Sequence, residues 1–91
     1  MSHLSGTNSD LLARVRRIGG QVNAIERALQ SDASCTKVLH LVAAVRGALN
    51  GLLDEIIAEH LEAHVSRPGL TDDERSDGAE ELLTVIRRYS K

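Results

Sequence analysis

Cys35, His60 and His64 carry the side chains of this sequence best suited to holding a transition metal, and their spacing decides how they could do so. His60 and His64 are four residues apart in an apolar-periodic stretch, so on a helix both imidazoles project from one face and offer two nitrogens to one ion. Cys35 lies 25 residues upstream, on what reads as the same helix. At 1.5 Å per residue the thiol is then roughly 37 Å from the histidines. One helix cannot bring its own thiolate onto its own imidazoles, but an antiparallel second copy can. Pairing 35 with 60 to 64 puts the crossing near residues 47 to 50, where Gly47-Ala48-Leu49-Asn50-Gly51 lets two backbones approach closely. The spacing therefore predicts a symmetric oligomer with a metal site between subunits.

The elements that must position these residues read as helices. Residues 1–8 are polar and form an N-terminal arm ahead of the helices, within a single domain placed over residues 1–91. Asn8 or Asp10 starts a first helix with Leu11, Val15, Ile18, Val22, Ile25 and Leu29 at alternating spacings of four and three. Gly19-Gly20 interrupts it at about 1 kcal/mol per glycine relative to alanine, a cost that a close helix contact or an approach to DNA would explain. Ser31-Asp32-Ala33-Ser34 is a turn with capping residues. A long central helix follows from about Ser34 to about Val65, with Val38, Val42, Val45, Leu49, Leu52 and Ile56 on one stripe and Leu41, Ala44, Ala48 and Leu53 beside it. Two stripes predict contacts on two sides. Arg67-Pro68-Gly69 breaks that helix, and Thr71 with Glu74 is a capping-box pattern for a third. Leu82, Val85, Ile86 and Tyr89 are its predicted buried face, and Gly78 is read as a break around residues 76–79.

Composition agrees with an all-α, oligomeric subunit. Ninety-one residues with Tyr89 as the only aromatic leave an aliphatic core that a monomer can only partly close. A single cysteine excludes an intramolecular disulfide framework and fits a reducing, cytoplasmic setting. No apolar run approaches the roughly 18 residues of a membrane span. The net charge of −2 is unevenly spread: residues 1–50 hold six Lys/Arg against three Asp/Glu, and residues 51–91 hold five against ten. Several copies could merge the basic halves, with Arg14, Arg16, Arg17 and Arg46, into a phosphate-binding surface. Arg14 and Arg17 share a helix face, with Gln21 one further turn on.

Arg14-Val15-Arg16-Arg17-Ile18-Gly19-Gly20-Gln21 and its continuation to Leu29, then Cys35, then Ala43 to Leu52, then His60-Leu61-Glu62-Ala63-His64, closely resemble the CsoR/RcnR/FrmR family of bacterial repressors. The resemblance runs without gaps over residues 9–66, and the third helix matches in pattern. It implies three-helix subunits, antiparallel dimers assembled into a homotetramer, and operator DNA bound until an inducer lowers the affinity. It places DNA contact on Arg14, Arg17 and Arg46, with Gln21 and Arg16 beside them. Copper sensors of the family resemble a Cys, His, Cys set, whereas His64 stands at the last position here. Nickel and cobalt sensors have a histidine near the N-terminus followed by Cys, His and His, which His3, Cys35, His60 and His64 match. Formaldehyde sensors keep the cysteine, have Pro at position 2 and lack the last histidine; this chain departs from them with Ser2 and His64. Persulfide sensors need two cysteines.

Three imidazoles and a thiolate are borderline ligands that suit Ni(II), Co(II) and Zn(II), while Cu(I) prefers a softer set. The reading is therefore a Ni(II)- or Co(II)-released repressor, to which Zn(II) or copper could also bind in vitro. If Met1 is removed, the Ser2 amine joins the donors. His40 has no fingerprint counterpart and reads as structural, and Glu62 reads as a solvated carboxylate. The rivals are an aldehyde sensor joining the Ser2 amine to Cys35, and a helical metal carrier without DNA binding. An enzyme with Cys35 as nucleophile is a poor fit, since no Gly-rich loop and almost no aromatic lining accompany it.

Overall fold

A computed structural model describes residues 8–89, and its elements are helical throughout. α1 spans Asn8–Gln30, α2 spans Cys35–Leu61 and continues into a π turn at Glu62–Ser66, and α3 spans Asp72–Tyr89. Among the described residues there is no strand, as the all-α reading expects. Ser2 and His3, both assigned to the site from sequence, lie outside the described residues. The chain divides into two compact units, one within Thr7–Leu53 and the other within Asp54–Lys91.

In the first unit, local chemistry sets the helix ends. The Ala33 N–H donates to the Ala28 carbonyl at 2.9 Å and the Asp32 N–H to that of Leu29 at 3.4 Å. This is the Schellman closure of α1, and it holds Asp32 at φ 57°, in the left-handed region where glycine is usual. Two residues later the Lys37 N–H donates to Ser34 Oγ at 3.2 Å, so Ser34 caps α2 and Cys35 is its first residue.

The side of α1 that packs within the chain takes in Leu11, Ile18 and Ile25 of the predicted stripe but leaves out Val15, Val22 and Leu29. Leu11, Ile18 and Ala28 are buried, with Arg14, Gln21 and Ile25 half-buried between them, so the covered positions run 11, 14, 18, 21, 25 and 28. Val15, Val22 and Leu29 are 47%, 48% and 65% exposed. On α2 Val45 is buried, with Val38, Leu41, Ala48 and Leu52 half-buried, while Leu39, Val42 and Leu49 are open. Both helices thus carry one covered and one uncovered apolar face. Gly51 explains why Arg14 is tolerated on the covered side: an ideal Cβ there would meet Arg14 Nη1 at 2.9 Å, so the guanidinium lies over bare backbone. Gly19, Gly20 and Gly47 have nothing within 4 Å of such a Cβ, so no close approach among the described residues uses their missing side chains.

In the second unit α2 stops earlier than Val65. It ends at Leu61 and the chain widens into the π turn, which is closed by Arg67 in an extended conformation, φ −60° and ψ 132°. Pro68 imposes that conformation, because its ring disfavours helical geometry at the residue before it. The terminal carbonyls find side-chain donors: Ser66 Oγ to Leu61 at 3.4 Å, and the Arg75 guanidinium to Val65 and, at 3.4 Å, to Leu70. α3 begins with the expected capping box, Thr71 N–H to Glu74 Oε1 at 2.8 Å and Glu74 N–H to Thr71 Oγ1 at 3.1 Å. Gly78 does not break it; α3 is continuous, and Gly78 is its buried residue, packed on the π turn. Leu82 and Val85 are half-buried as predicted, whereas Ile86 and Tyr89 are exposed.

Replacing Asp32 by glycine removes the left-handed penalty, and Asp32→Gly is expected to raise stability by about 1 kcal/mol in thermal unfolding. The Thr71 N–H, with its hydroxyl adding to the effect, holds the Glu74 carboxyl below the usual glutamate range. A depressed folded-state pKa contributes stability above the unfolded value and loses it as pH falls through the folded one. Between about pH 5 and pH 3 the wild-type chain should therefore lose stability more steeply than Glu74→Gln, as followed by circular dichroism.

Candidate metal centre

His60 and His64 are brought together as their spacing predicts, although the backbone between them is not all α-helix. His60 stands in the last turn of α2 and His64 in the middle of the π turn. Their ring centroids are 4.7 Å apart with planes inclined by 39°, close enough for two nitrogens to reach one ion. Both residues are half-buried, which keeps them within reach of a ligand while limiting their freedom.

α3 fixes one end of the pair. His60 Nε2 lies 2.9 Å from the Gly78 carbonyl oxygen. A carbonyl only accepts, so in the neutral ring the proton sits on Nε2 and the lone pair on Nδ1. The Glu81 carboxylate, 4.0 Å from the same Nε2, lies on the same side. A histidine held in this way through one nitrogen has its orientation set in advance and leaves the other nitrogen open to a ligand. Asp77, Glu80, Glu81 and Thr84 line a shallow acidic depression on α3, which adds negative charge to this end of the chain.

Cys35 is exposed at the first position of α2. Among the described residues no three His, Cys, Asp or Glu side chains gather where they could hold an ion. The described donors thus fall into two separate groups: a histidine pair with rings close together, and a solvent-facing thiol. Glu62 is exposed. His40, also exposed, lines a shallow groove with Leu39, Val42, Ala43 and Arg46.

The basic residues separate by burial. Arg16, Arg17 and Arg46 are exposed, whereas Arg14 is half-buried over Gly51 and Gln21 is half-buried with Oε1 enclosed and without a hydrogen-bond partner. The residues that sequence reasoning missed are Gly78 and Arg75. Gly78 was visible as an unexplained glycine inside a helical pattern; nothing in the sequence marked Arg75 as a partner of the Val65 and Leu70 carbonyls.

Residues 7–88 match the family described as metal-sensitive transcriptional repressor. Similar proteins include one from the bioA 5′ region of Serratia marcescens, 46% identical over 91 residues and all of both chains. The transcriptional repressor RcnR of Citrobacter koseri is 38% identical, also over the whole of both chains. Among solved structures, the chain is similar to a glutamate-to-histidine variant of the formaldehyde-responsive regulator FrmR from Salmonella enterica serovar Typhimurium. The identity is 43% and the TM-score 0.86, over 92% of this chain and 94% of that one. The matched family consists of regulators of transcription, not enzymes, and no described helix is long and apolar enough to cross a membrane. By the span of the family match and by whole-length identity, the chain belongs to the CsoR/RcnR/FrmR family of metal- or formaldehyde-responsive transcriptional repressors.

Proposed function

We propose that this protein is a nickel- or cobalt-responsive repressor, a single sensing and DNA-binding domain that holds operator DNA without inducer and releases it when the ion is bound. The observation that carries the reading is the His60–His64 pair, with rings 4.7 Å apart and His60 already oriented by α3. His64 is the residue that turns a thiol-centred site into an imidazole-rich one suited to Ni(II) and Co(II). Whole-length similarity to RcnR supports the same choice.

Cys35 from one subunit and His60 and His64 from a second converge when two α2 helices run antiparallel. The open faces of α1 and α2, with Val15, Val22, Leu29, Leu39, Val42 and Leu49, supply apolar surface for antiparallel dimers and their pairing into a tetramer. Gly47, with open space where a Cβ would stand, suits the crossing point. A bound ion supplies the positive charge and the open coordination positions that tie these separate segments together. His3 and the Ser2 amine, freed on removal of Met1, add donors from the N-terminal arm. Arg17, Arg46 and Arg16 are exposed and hold the phosphates of the operator, which in this reading precedes an efflux gene. Arg14 and Gln21 support that surface from the covered side of α1. A 100-fold loss of operator affinity on induction requires about 2.7 kcal/mol of coupling, within the ordinary allosteric range.

The likeness to a formaldehyde-responsive regulator favours a second reading, in which the carbon of formaldehyde joins the Ser2 amine to the exposed Cys35 thiol and its oxygen leaves as water, with one proton from each group. Anaerobic titration of reduced protein with Co(II), monitored by absorption and by operator mobility shift, separates the two. The metal reading expects about one ion per subunit, a thiolate charge-transfer band, weak six-coordinate d–d bands and operator release, all abolished in His64→Ala. Release driven by formaldehyde and indifferent to His64→Ala would favour the aldehyde reading.

The arginines give a second test. Arg17→Ala should weaken operator binding and reduce the slope of log affinity against log salt by about 0.9 for each phosphate no longer neutralised. Its effect on stability should stay below about 0.5 kcal/mol. Arg14→Ala should additionally cost about 1 kcal/mol in denaturant unfolding, because it uncovers Gly51.

A further inference from the structure

Gly78 occupies the middle of an otherwise well-formed helix, where glycine costs about 1 kcal/mol relative to alanine. The cost has a local explanation. An ideal Cβ on Gly78 would collide with the His64 carbonyl oxygen and lie 2.7 Å from His64 Cβ and 2.8 Å from its carbonyl carbon. All three nearest atoms belong to one residue, and two of them are backbone, so no side-chain rotation could relieve the clash. The carbonyl of the same Gly78 receives the His60 Nε2–H at 2.9 Å. One residue of α3 therefore touches both histidines, His64 through its bare Cα and His60 through its oxygen. One turn earlier, the Arg75 guanidinium grips the carbonyls of Val65 and Leu70, holding the π turn against α3 from its other end.

We propose that Gly78 is the positioning residue of the inducer site: it is where α3 sets the angle of the two imidazoles and the tautomer of His60. This role rests on the reading that His60 and His64 receive the inducer, but its structural half stands without it. Gly78→Ala improves the helix propensity of α3 while forcing the π turn away from it. That separation lengthens the His60–Gly78 hydrogen bond, releases Nε2, and turns His64 relative to His60. Arg75→Ala acts in the same direction without adding bulk, by freeing the Val65 and Leu70 carbonyls.

The test uses full-length apo-protein with 15N-labelled histidine and long-range 1H–15N correlation spectra, followed by Co(II) titration. In the wild-type chain His60 should be the Nε2–H tautomer; a predominant Nδ1–H tautomer overturns the proposal at once. In Gly78→Ala the helicity should be kept, the His60 tautomer should become mixed, and Co(II) affinity should fall roughly 10- to 100-fold with altered d–d bands. A wild-type tautomer and Co(II) spectrum in that variant overturn the proposal. Should Gly78→Ala fail to fold, Arg75→Ala decides by the same two spectra, and unchanged spectra again overturn it. If wild-type protein shows no histidine coordination of Co(II), the metal reading fails, while the apo tautomer in wild type and variants still decides the role of Gly78.

Discussion

The constraint on which the rest of this structure depends is a shortage of cover for its own apolar surface. Only Leu11, Ile18, Ala28 and Val45 count as buried hydrophobic residues among those described, and no described side chain is fully enclosed. A hydrophobic side chain contributes on the order of 1.5–3 kcal/mol when fully buried, so these few positions, one an alanine, cannot carry a chain of this length. The remaining aliphatic residues are arranged on helix faces at heptad-like spacing. Such faces are stable only when something of the same shape lies on them. A second copy lying on those faces would cover them, and under the proposed function it would also serve the chemistry, since the thiol belongs to the first turn of α2 and the imidazoles to its last turn and the π turn beyond.

Helix ends were more legible in this sequence than helix faces, and the reason is physical. Ser34, Thr71 with Glu74, and Arg67 before Pro68 act through bonds to backbone a few residues away, so their meaning does not depend on what packs nearby. A face depends on a partner. In α1 the apolar stripe splits: Leu11, Ile18 and Ile25 are covered together with Arg14 and Gln21, while Val15, Val22 and Leu29 stay open. Two apolar faces compete for the inside of such a helix, and composition alone does not say which is satisfied within the chain. Gly51 leaves room for a guanidinium on the covered side, a detail that spacing does not reveal.

The candidate site was legible as a set of donors and only partly as a geometry. Spacing of four pairs His60 with His64, and the lone Cys35 is recognisably too distant to join them within a chain. What spacing does not reveal is the π turn. It is bounded by Pro68, by a serine hydroxyl reaching back five positions, and by an arginine from the following helix; only the proline is local enough to be read directly. Gly78 is ambiguous for the same reason. A glycine inside a helix has the same appearance whether it marks a break or an approach of two backbones, and only the position of His64 distinguishes them.

These features bear on how a ligand could change the protein at all. A pair of histidines on an isolated helix end would bind an ion and alter little, because frayed helix termini absorb small displacements. Here the pair stands on a backbone segment whose Val65 carbonyl is held by Arg75 and whose surface lies against Gly78, so α3 constrains the backbone that carries both rings. Close-packed surfaces transmit displacement because they have no free space in which to lose it. Under the proposed function, the close approach of Gly78 to His64 is the contact through which coordination at the histidine pair would bear on α3.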